Sequence, residues 1–232
     1  MTVTLFELCG ADPDLRFSPF CWRSRLALAH KGLEVESMPW RFTEIERLEF
    51  ADYDKVPVLV DGDKVVTDSW NIAVYLEATY PDRPALFAGG PAAQRFMNAW
   101  ADTVLNPALG RMILCDIPAL LTPKGRDYFL TSREKRFGMS VEAFTAGREA
   151  RLPALRELFA PVRAVLRHQP FLGGSGPDYG DYAVMGSLMW ARCVSPLALL
   201  DPADEVYAWR ERMLDLHGGL ARKAPCVESQ RL

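Results

Sequence analysis

Arg16-Phe17-Ser18-Pro19-Phe20-Cys21-Trp22-Arg23 joins an apolar run, Val3 to Leu8, to a segment of helical spacing that carries Trp22, Leu26 and Ala29. Ser18 can cap that helix, because its side-chain oxygen can accept an orphan backbone N–H of the first turn. Pro19 suits the first helical position, where its missing N–H costs nothing. Cys21 then falls near the third position. The helix opening offers free N–H groups and partial positive charge, which favour a bound thiolate or another anion. Ser-Pro is also ordinary punctuation at a helix start, so its meaning rests on the rest of the chain.

Outward from this stretch, Val3 to Leu8 reads as a first strand, and residues 9–16 form a long, turn-rich connection. The first helix is expected from Pro19 to Lys31, with Gly32 as its stop. Leu33 to Pro39 alternates apolar and polar residues and predicts a second strand, parallel to the first through a right-handed crossover. Arg41 to Tyr53 is charged and predicts a loop with a short helix. Lys55 to Val66 holds two β-rich runs around Asp61-Gly62, a hairpin signal, with Pro57 opening the first of them. Thr67-Asp68-Ser69 then offers several N-caps for a helix with Ile72, Ala73, Leu76 and Tyr80 on one face. The order is β-α-β, a variable stretch, then β-β-α.

Proline- and glycine-rich residues 81–91 divide this α/β half from a second half in which no strand pattern appears. Ala93 to Ile113 predicts a long helix with Phe96, Trp100 and Val104 every fourth residue, and a bend or break at Pro107. Leu152, Leu155, Phe159, Val162 and Leu166 mark a further helical face, interrupted by Pro153 and Pro161. After Phe171-Leu172-Gly173-Gly174, Asp178 and Asp181 have the spacing of a capping box. The apolar helix behind it, with Val184, Leu188, Met189 and Trp190, is the expected core of an all-helical second domain. Glu205 to Leu216 predicts one more helix, and the tail after Gly218-Gly219 is expected to be loose. The expected domains are residues 1–82 and 92–232.

The chain has 232 residues, 49% hydrophobic and 25% charged, an ordinary globular composition with room for two modest domains. A net charge of −3 gives no electrostatic reason to expect nucleic acid or an anionic membrane as partner. No apolar run approaches the ~18–20 residues of a membrane span, and the first residues lack the pattern of a secretion signal. The five cysteines are odd in number and scattered, with no paired zinc motif, which suggests a reduced, cytoplasmic protein without a metal. His30, His168 and His217 lie far apart in sequence and are expected to be solvated.

Three separated signals agree in order and spacing: Ser18-Pro19-Phe20-Cys21, Lys55-Val56-Pro57-Val58-Leu59, and Asp68-Ser69 followed by Ile72 and Tyr75-Leu76. Together they resemble the N-terminal half of a glutathione transferase of the serine type. The long loop before Ser18 and the segment Trp40-Arg41-Phe42-Thr43 resemble the bacterial β-etherase-like branch. The resemblance implies a thioredoxin-like glutathione-binding domain followed by an all-α domain that contributes an electrophile site. It implies a cis bond before Pro57, with Val56 turned toward glutathione's cysteinyl unit. It further implies that Ser69 and the backbone at its helix start hold the γ-glutamyl carboxylate, with Asp68 facing the ammonium. Lys55 and, second to it, Arg41 are candidates for the glycine carboxylate; Ser18 is expected at the thiol, and Phe20 is counted among the glutathione-binding residues. Capping alone also accounts for Asp68 and Ser69. A cytoplasmic homodimer that uses glutathione as co-substrate in detoxification is the family expectation.

A free thiol has a pKa near ~8.5, and the thiolate is the nucleophile. Lowering that pKa by one unit takes ~1.4 kcal/mol of differential stabilisation, a task for the Ser18 hydroxyl and the helix opening. Tyrosine activation is disfavoured, since Phe6 stands near the end of the first strand and no tyrosine precedes Tyr53. Cys21 is expected to face back into the helix packing as a neutral thiol. The expected activity is glutathione transfer to a hydrophobic, aromatic electrophile lying against Trp100, Met112 and Cys115, residues for which core packing is an equal reading. Glutathione-dependent β-aryl ether cleavage, a non-catalytic ligand-binding role and thiol reduction through Cys21 are the alternatives.

Overall fold

The computed structural model describes residues 2–228. β1 (Val3–Leu8) pairs in parallel with β2 (Val35–Trp40), in register from Val3 opposite Val35 to Leu8 opposite Trp40. β3 (Val58–Asp61) runs antiparallel to β1 and β4 (Lys64–Thr67) antiparallel to β3, giving a four-stranded sheet of order β2-β1-β3-β4. The second strand starts two residues later than the alternation predicts and carries Pro39 on the outermost strand, where a missing donor is tolerated. Gly62 turns the β3–β4 hairpin at a φ of +57°, a conformation that glycine adopts without steric cost.

α1 (Pro19–His30) connects β1 to β2, and α2 (Ser69–Thr79) follows β4. α1 buries Trp22, Leu26 and Leu28, and the Trp22 indole N–H donates to the Arg16 carbonyl at 2.9 Å. α2 buries Ile72, Ala73 and Leu76. Glu77 on α2 accepts the Leu86 and Phe87 N–H groups at 2.8 and 3.3 Å and the Lys31 ammonium at 2.7 Å. One carboxylate thus ties the connection between the two halves to both helices of the first.

The second half is helical: α3 (Pro91–Trp100), α4 (Asn106–Ile113), α5 (Pro123–Phe137), α6 (Val141–Thr145), α7 (Leu152–Leu158), α8 (Ala160–Leu166), α9 (Tyr179–Val194) and α10 (Glu205–Gly219). The interruption predicted at Pro107 takes the form of a wide π turn, Ala101–Leu105, between α3 and α4. Pro153 and Pro161 each fall in the opening turn of a short helix, where no backbone donor is lost. α9 is buried along nearly its whole length, and the box at its start is real. Asp178 accepts the Gly180 N–H at 2.9 Å, and Asp181 accepts from Leu172, Gly173, Asp178 and the Trp209 indole at 2.8–3.1 Å.

Three expectations need correction. The every-fourth-residue face of α3 is turned outward, with Phe96 69% and Val104 37% exposed. The inward stripe is Gln94, Asn98, Ala101, Leu105 and Leu109, because the two polar residues find buried partners in Asp178 and Arg23. The tail is packed as far as 228: Ala221 and Cys226 are buried, and Glu228 pairs with Arg192 and Arg210 at 3.0 and 2.7 Å, while 229–232 lie outside the described residues. His30 and His217 are half-buried neighbours. Tyr182 Oη lies 2.7 Å from His30 Nδ1 and 3.1 Å from His217 Nε2, while His30 Nε2 reaches the Ala85 carbonyl at 3.1 Å.

Candidate functional site

β1 delivers the chain to the opening of α1. Ser18 is the N-cap there, with extended backbone, and its Oγ accepts the Cys21 N–H at 3.3 Å. A hydroxyl that accepts one bond still has a hydrogen to donate. Cys21 is fully buried, and burial, with Glu7 nearby, pushes its thiol up to about 12 against the Ser18 hydrogen bond. It therefore stays protonated at neutral pH. Phe20 is 38% exposed beside the cap, and the Arg23 guanidinium stands 5.0 Å from its ring centroid.

The Val56–Pro57 peptide is cis, with Pro57 buried just ahead of β3. Lys55 is exposed, its Nζ 3.5 Å from Asp54 Oδ1. Arg41 donates to the Gly10 and Ala11 carbonyls, both at 3.2 Å, and to Glu44 at 3.1 Å, bracing the loop that leads to α1. Asp68 caps α2 at a φ of 71°, uncommon outside glycine, and accepts the Trp70 and Asn71 N–H groups at 2.9 and 3.3 Å. Ser69 beside it is buried. A cleft of about 450 Å³ runs from Asp68 and Trp70 to Arg95, Asn98 and Asp102 on α3 and the π turn. Arg95 stands 4.8 Å over the Trp70 ring on its rim.

The family models match the chain in two blocks, one in each half. Residues 17–79 match the model described as glutathione S-transferase, N-terminal domain, and residues 92–218 match glutathione S-transferase, C-terminal domain. The chain belongs to the glutathione S-transferase family. Among curated relatives it is similar to glutathione S-transferase Z1 of Arabidopsis thaliana, 40% identical over 77 residues, covering 28% of this chain and 34% of that protein. Glutathione S-transferase U22 of the same plant is 29% identical over 184 residues, covering 78% and 73%. Several of the curated relatives are matched over only about a third of their length, as the 34% and 31% of the two zeta-type proteins show. Among solved structures, glutathione transferase GSTFuA2 of Phanerochaete chrysosporium superposes with a TM-score of 0.72 at 26% identity, covering 94% and 93%. A transferase of Ceriporiopsis subvermispora, solved with glutathione, gives 0.74 at 22%, covering 93% and 96%, a likeness of fold.

Of the predicted site residues in this transferase fold, Asp68 lines the cleft, Ser18 caps α1 and Ser69 opens α2, while Arg41 and Lys55 have the separate surroundings described. Trp100 is half-buried with its ring edge-on to Phe159 at 6.4 Å, Met112 is core at 1% exposure, and half-buried Cys115 receives an Arg148 N–H at 3.0 Å. The residues that sequence reasoning missed are Arg23, Asn98, Asp102 and Tyr179, joined by hydrogen bonds of 2.8–3.1 Å behind the two openings. The signal for Asn98 and Asp102 was a polar stripe, Asn98-Asp102-Asn106, at four-residue steps. Among the described residues no group of three or more His, Cys, Asp or Glu could hold a metal ion, and no helix is long and apolar enough to cross a membrane.

Proposed function

We propose that this chain binds glutathione with its sulfur at the opening of α1 and transfers it to a hydrophobic, aromatic electrophile, as a serine-type enzyme. The observation that carries the reading is the Ser18 hydroxyl at the α1 N-cap, beside Cys21, a thiol that burial keeps protonated. The cap leaves a hydroxyl hydrogen and a helix N-terminus for an outside thiolate, and offers no thiolate of its own to compete. The glutathione thiol releases its proton to solvent, its sulfur forms a bond to the electrophilic carbon, and that carbon's leaving group departs with the electron pair. Chloride on an activated ring and phenolate from a β-aryl ether are equivalent leaving groups in this scheme. The second covers the β-etherase-like reading, which the long residue 9–16 loop supports.

Residues 1–82 supply the glutathione half and 92–232 the electrophile half. Ser69 and the α2 opening suit the γ-glutamyl carboxylate, Asp68 the ammonium, and Val56 with Pro57 the cysteinyl backbone. Lys55, exposed, is better suited to the glycine carboxylate than Arg41, whose fork is engaged with Gly10, Ala11 and Glu44. Trp100 and Cys115 remain the proposed wall. A homodimer is supported by the outward apolar side chains Val74, Phe96 and Val104, with Phe96 at 69% exposure. The test is retention on immobilised glutathione followed by conjugation of a chlorinated dinitrobenzene. Retention with turnover is expected. Retention without turnover of that compound or of a β-aryl ether supports the ligand-binding role instead, and no retention ends the reading.

A further inference from the structure

Arg23 is fully buried, yet its Nε has no hydrogen-bond partner. Its other two nitrogens are committed in different directions along one helix: Nη1 donates to Asn98 Oδ1 at 2.8 Å and Nη2 to Asp102 Oδ1 at 2.9 Å. Asn98 in turn donates to Asp102 Oδ2 at 2.9 Å. The Tyr179 hydroxyl, at the start of α9, lies 3.1 Å from Asn98 Oδ1 and 3.2 Å from the Ser69 carbonyl, and shares its single hydrogen between them. An unbroken polar path therefore runs from the first turn of α2 to the second turn of α1. The π turn that interrupts the α3–α4 rod spans Ala101–Leu105 and includes Asp102. Such turns are frequent at functional sites.

As a contribution to stability this arrangement is poor. The Arg23 guanidinium is fully buried with an unsatisfied N–H, and its carboxylate partner Asp102 is about one third exposed, so the pair attracts less than a dry one while Arg23 bears the full desolvation cost. What an apolar side chain could not supply is a fixed distance between three elements. A planar fork held at two points, over the Phe20 ring at 5.0 Å, locks the orientation of the turn that carries Ser18 and Phe20. The Tyr179 hydroxyl does the same for the turn that begins at Ser69.

We propose that Arg23 is a positioning residue: with Asn98, Asp102 and Tyr179 it fixes the opening turns of α1 and α2 to one another, so that the thiol end and the amino-acid end of glutathione are held at one set separation. This rests on the glutathione reading above. Tyr179 acts on the γ-glutamyl end, which is bound alike in ground and transition states, so its loss raises KM. Arg23 acts on both ends, so its loss also lowers kcat.

The experiment is a double-mutant cycle on steady-state conjugation and on glutathione binding by calorimetry, with Tyr179→Phe, Arg23→Lys and the pair. Tyr179→Phe is expected to raise the glutathione KM about fivefold with kcat held within about twofold, the scale of one lost buried hydrogen bond. Arg23→Lys, which reaches one acceptor at a time, is expected to raise KM about as much and to lower kcat. The pair is expected to fall short of the product of the single effects, because both belong to one path. Should Arg23→Lys fail to fold, Asp102→Asn with Tyr179→Phe closes the same cycle. Wild-type parameters in the single variants, or a pair that multiplies freely, would overturn the positioning role while leaving glutathione binding intact. A wild-type chain with no affinity for glutathione would overturn both.

Discussion

Gly186 sits where α9 crosses the opening turn of α1, and a methyl group there has nowhere to go. A Cβ built on Gly186 lies 2.5 Å from the Pro19 carbonyl oxygen, 3.1 Å from Arg23 N and 3.3 Å from Arg23 Cβ. The first two of these are backbone atoms of a capped helix, so no rotamer change relieves the contact. Restoring an ordinary 3.4 Å contact moves α9 from α1 by about 0.9 Å. Overpacking of this kind costs ~1–3 kcal/mol. For a chain of this size each kcal/mol lowers the melting midpoint by ~2–4 °C, so Gly186→Ala is expected to lose about 2–12 °C. The displacement falls on the turn that carries Ser18 and on the Arg23 fork, and a misplacement near 1 Å can reduce turnover by up to ~10²-fold. The assay is thermal unfolding together with conjugation kinetics. Gly89→Ala serves as control, since a Cβ at Gly89 meets nothing within 4 Å. A Gly186→Ala protein with the stability and the turnover of the control would contradict this close contact between α9 and α1.

Ser18→Ala is expected to reduce the conjugation rate about ten- to a hundredfold and to raise the pKa of the bound thiol, followed by thiolate absorbance, as loss of a hydrogen bond to a charged group implies; an unchanged thiol pKa would assign thiolate stabilisation to backbone N–H groups. Glu77→Gln leaves the Lys31 ammonium, 1% exposed, without its carboxylate at 2.7 Å. Denaturant titration should register a loss of about 2–3 kcal/mol, less than for a fully buried pair because Glu77 is partly solvated. Burial raises the Glu77 carboxyl, but Lys31 and the Leu86 and Phe87 N–H groups outweigh it and hold it below its ordinary value of 4.5. Its stabilisation is therefore full above that value and is lost as pH falls through the lower folded one, an acid-limb difference that Glu77→Gln should abolish. Burial lowers His30 and His217 from 6.5; at His30 the Lys31 charge adds to it against the Ala85 carbonyl, Glu77 and Asp178, and at His217 the His30 imidazole adds to it. The unfolded chain takes up protons first, so stability is full above pH 6.5 and declines as pH falls below it. Unfolding midpoints should drop between pH 7.5 and 6 and flatten in His217→Asn, whose side chain tolerates the φ of 53° at that position. Equal slopes in the two proteins would contradict the pairing around Tyr182.

Much of the first half was legible because its signals are local. A proline after a serine, an Asp-Gly between two β-rich runs and an aspartate before an apolar helical face each act within a few residues. The capping box of α9 was legible for the same reason. The face of α3 was not. Periodicity ranks side chains by apolarity, and it chose Phe96 and Val104 over Asn98, whose burial depends on Arg23 seventy-five positions earlier. Arg23 itself stood in plain sight within the opening stretch, but a charged residue on a helix reads as solvated until its partners are known. The His30–Tyr182–His217 group was hidden by the same distance in sequence, and the packed tail by ion pairs to Arg192 and Arg210.

Everything proposed for this chain depends on the α1 opening receiving the sulfur of glutathione. A crystal structure of the chain grown with glutathione tests it most directly. The sulfur is expected within hydrogen-bond distance of Ser18 Oγ, and the γ-glutamyl group at Ser69 and Asp68. Glutathione bound elsewhere, or a mixed disulfide with Cys21, would contradict it.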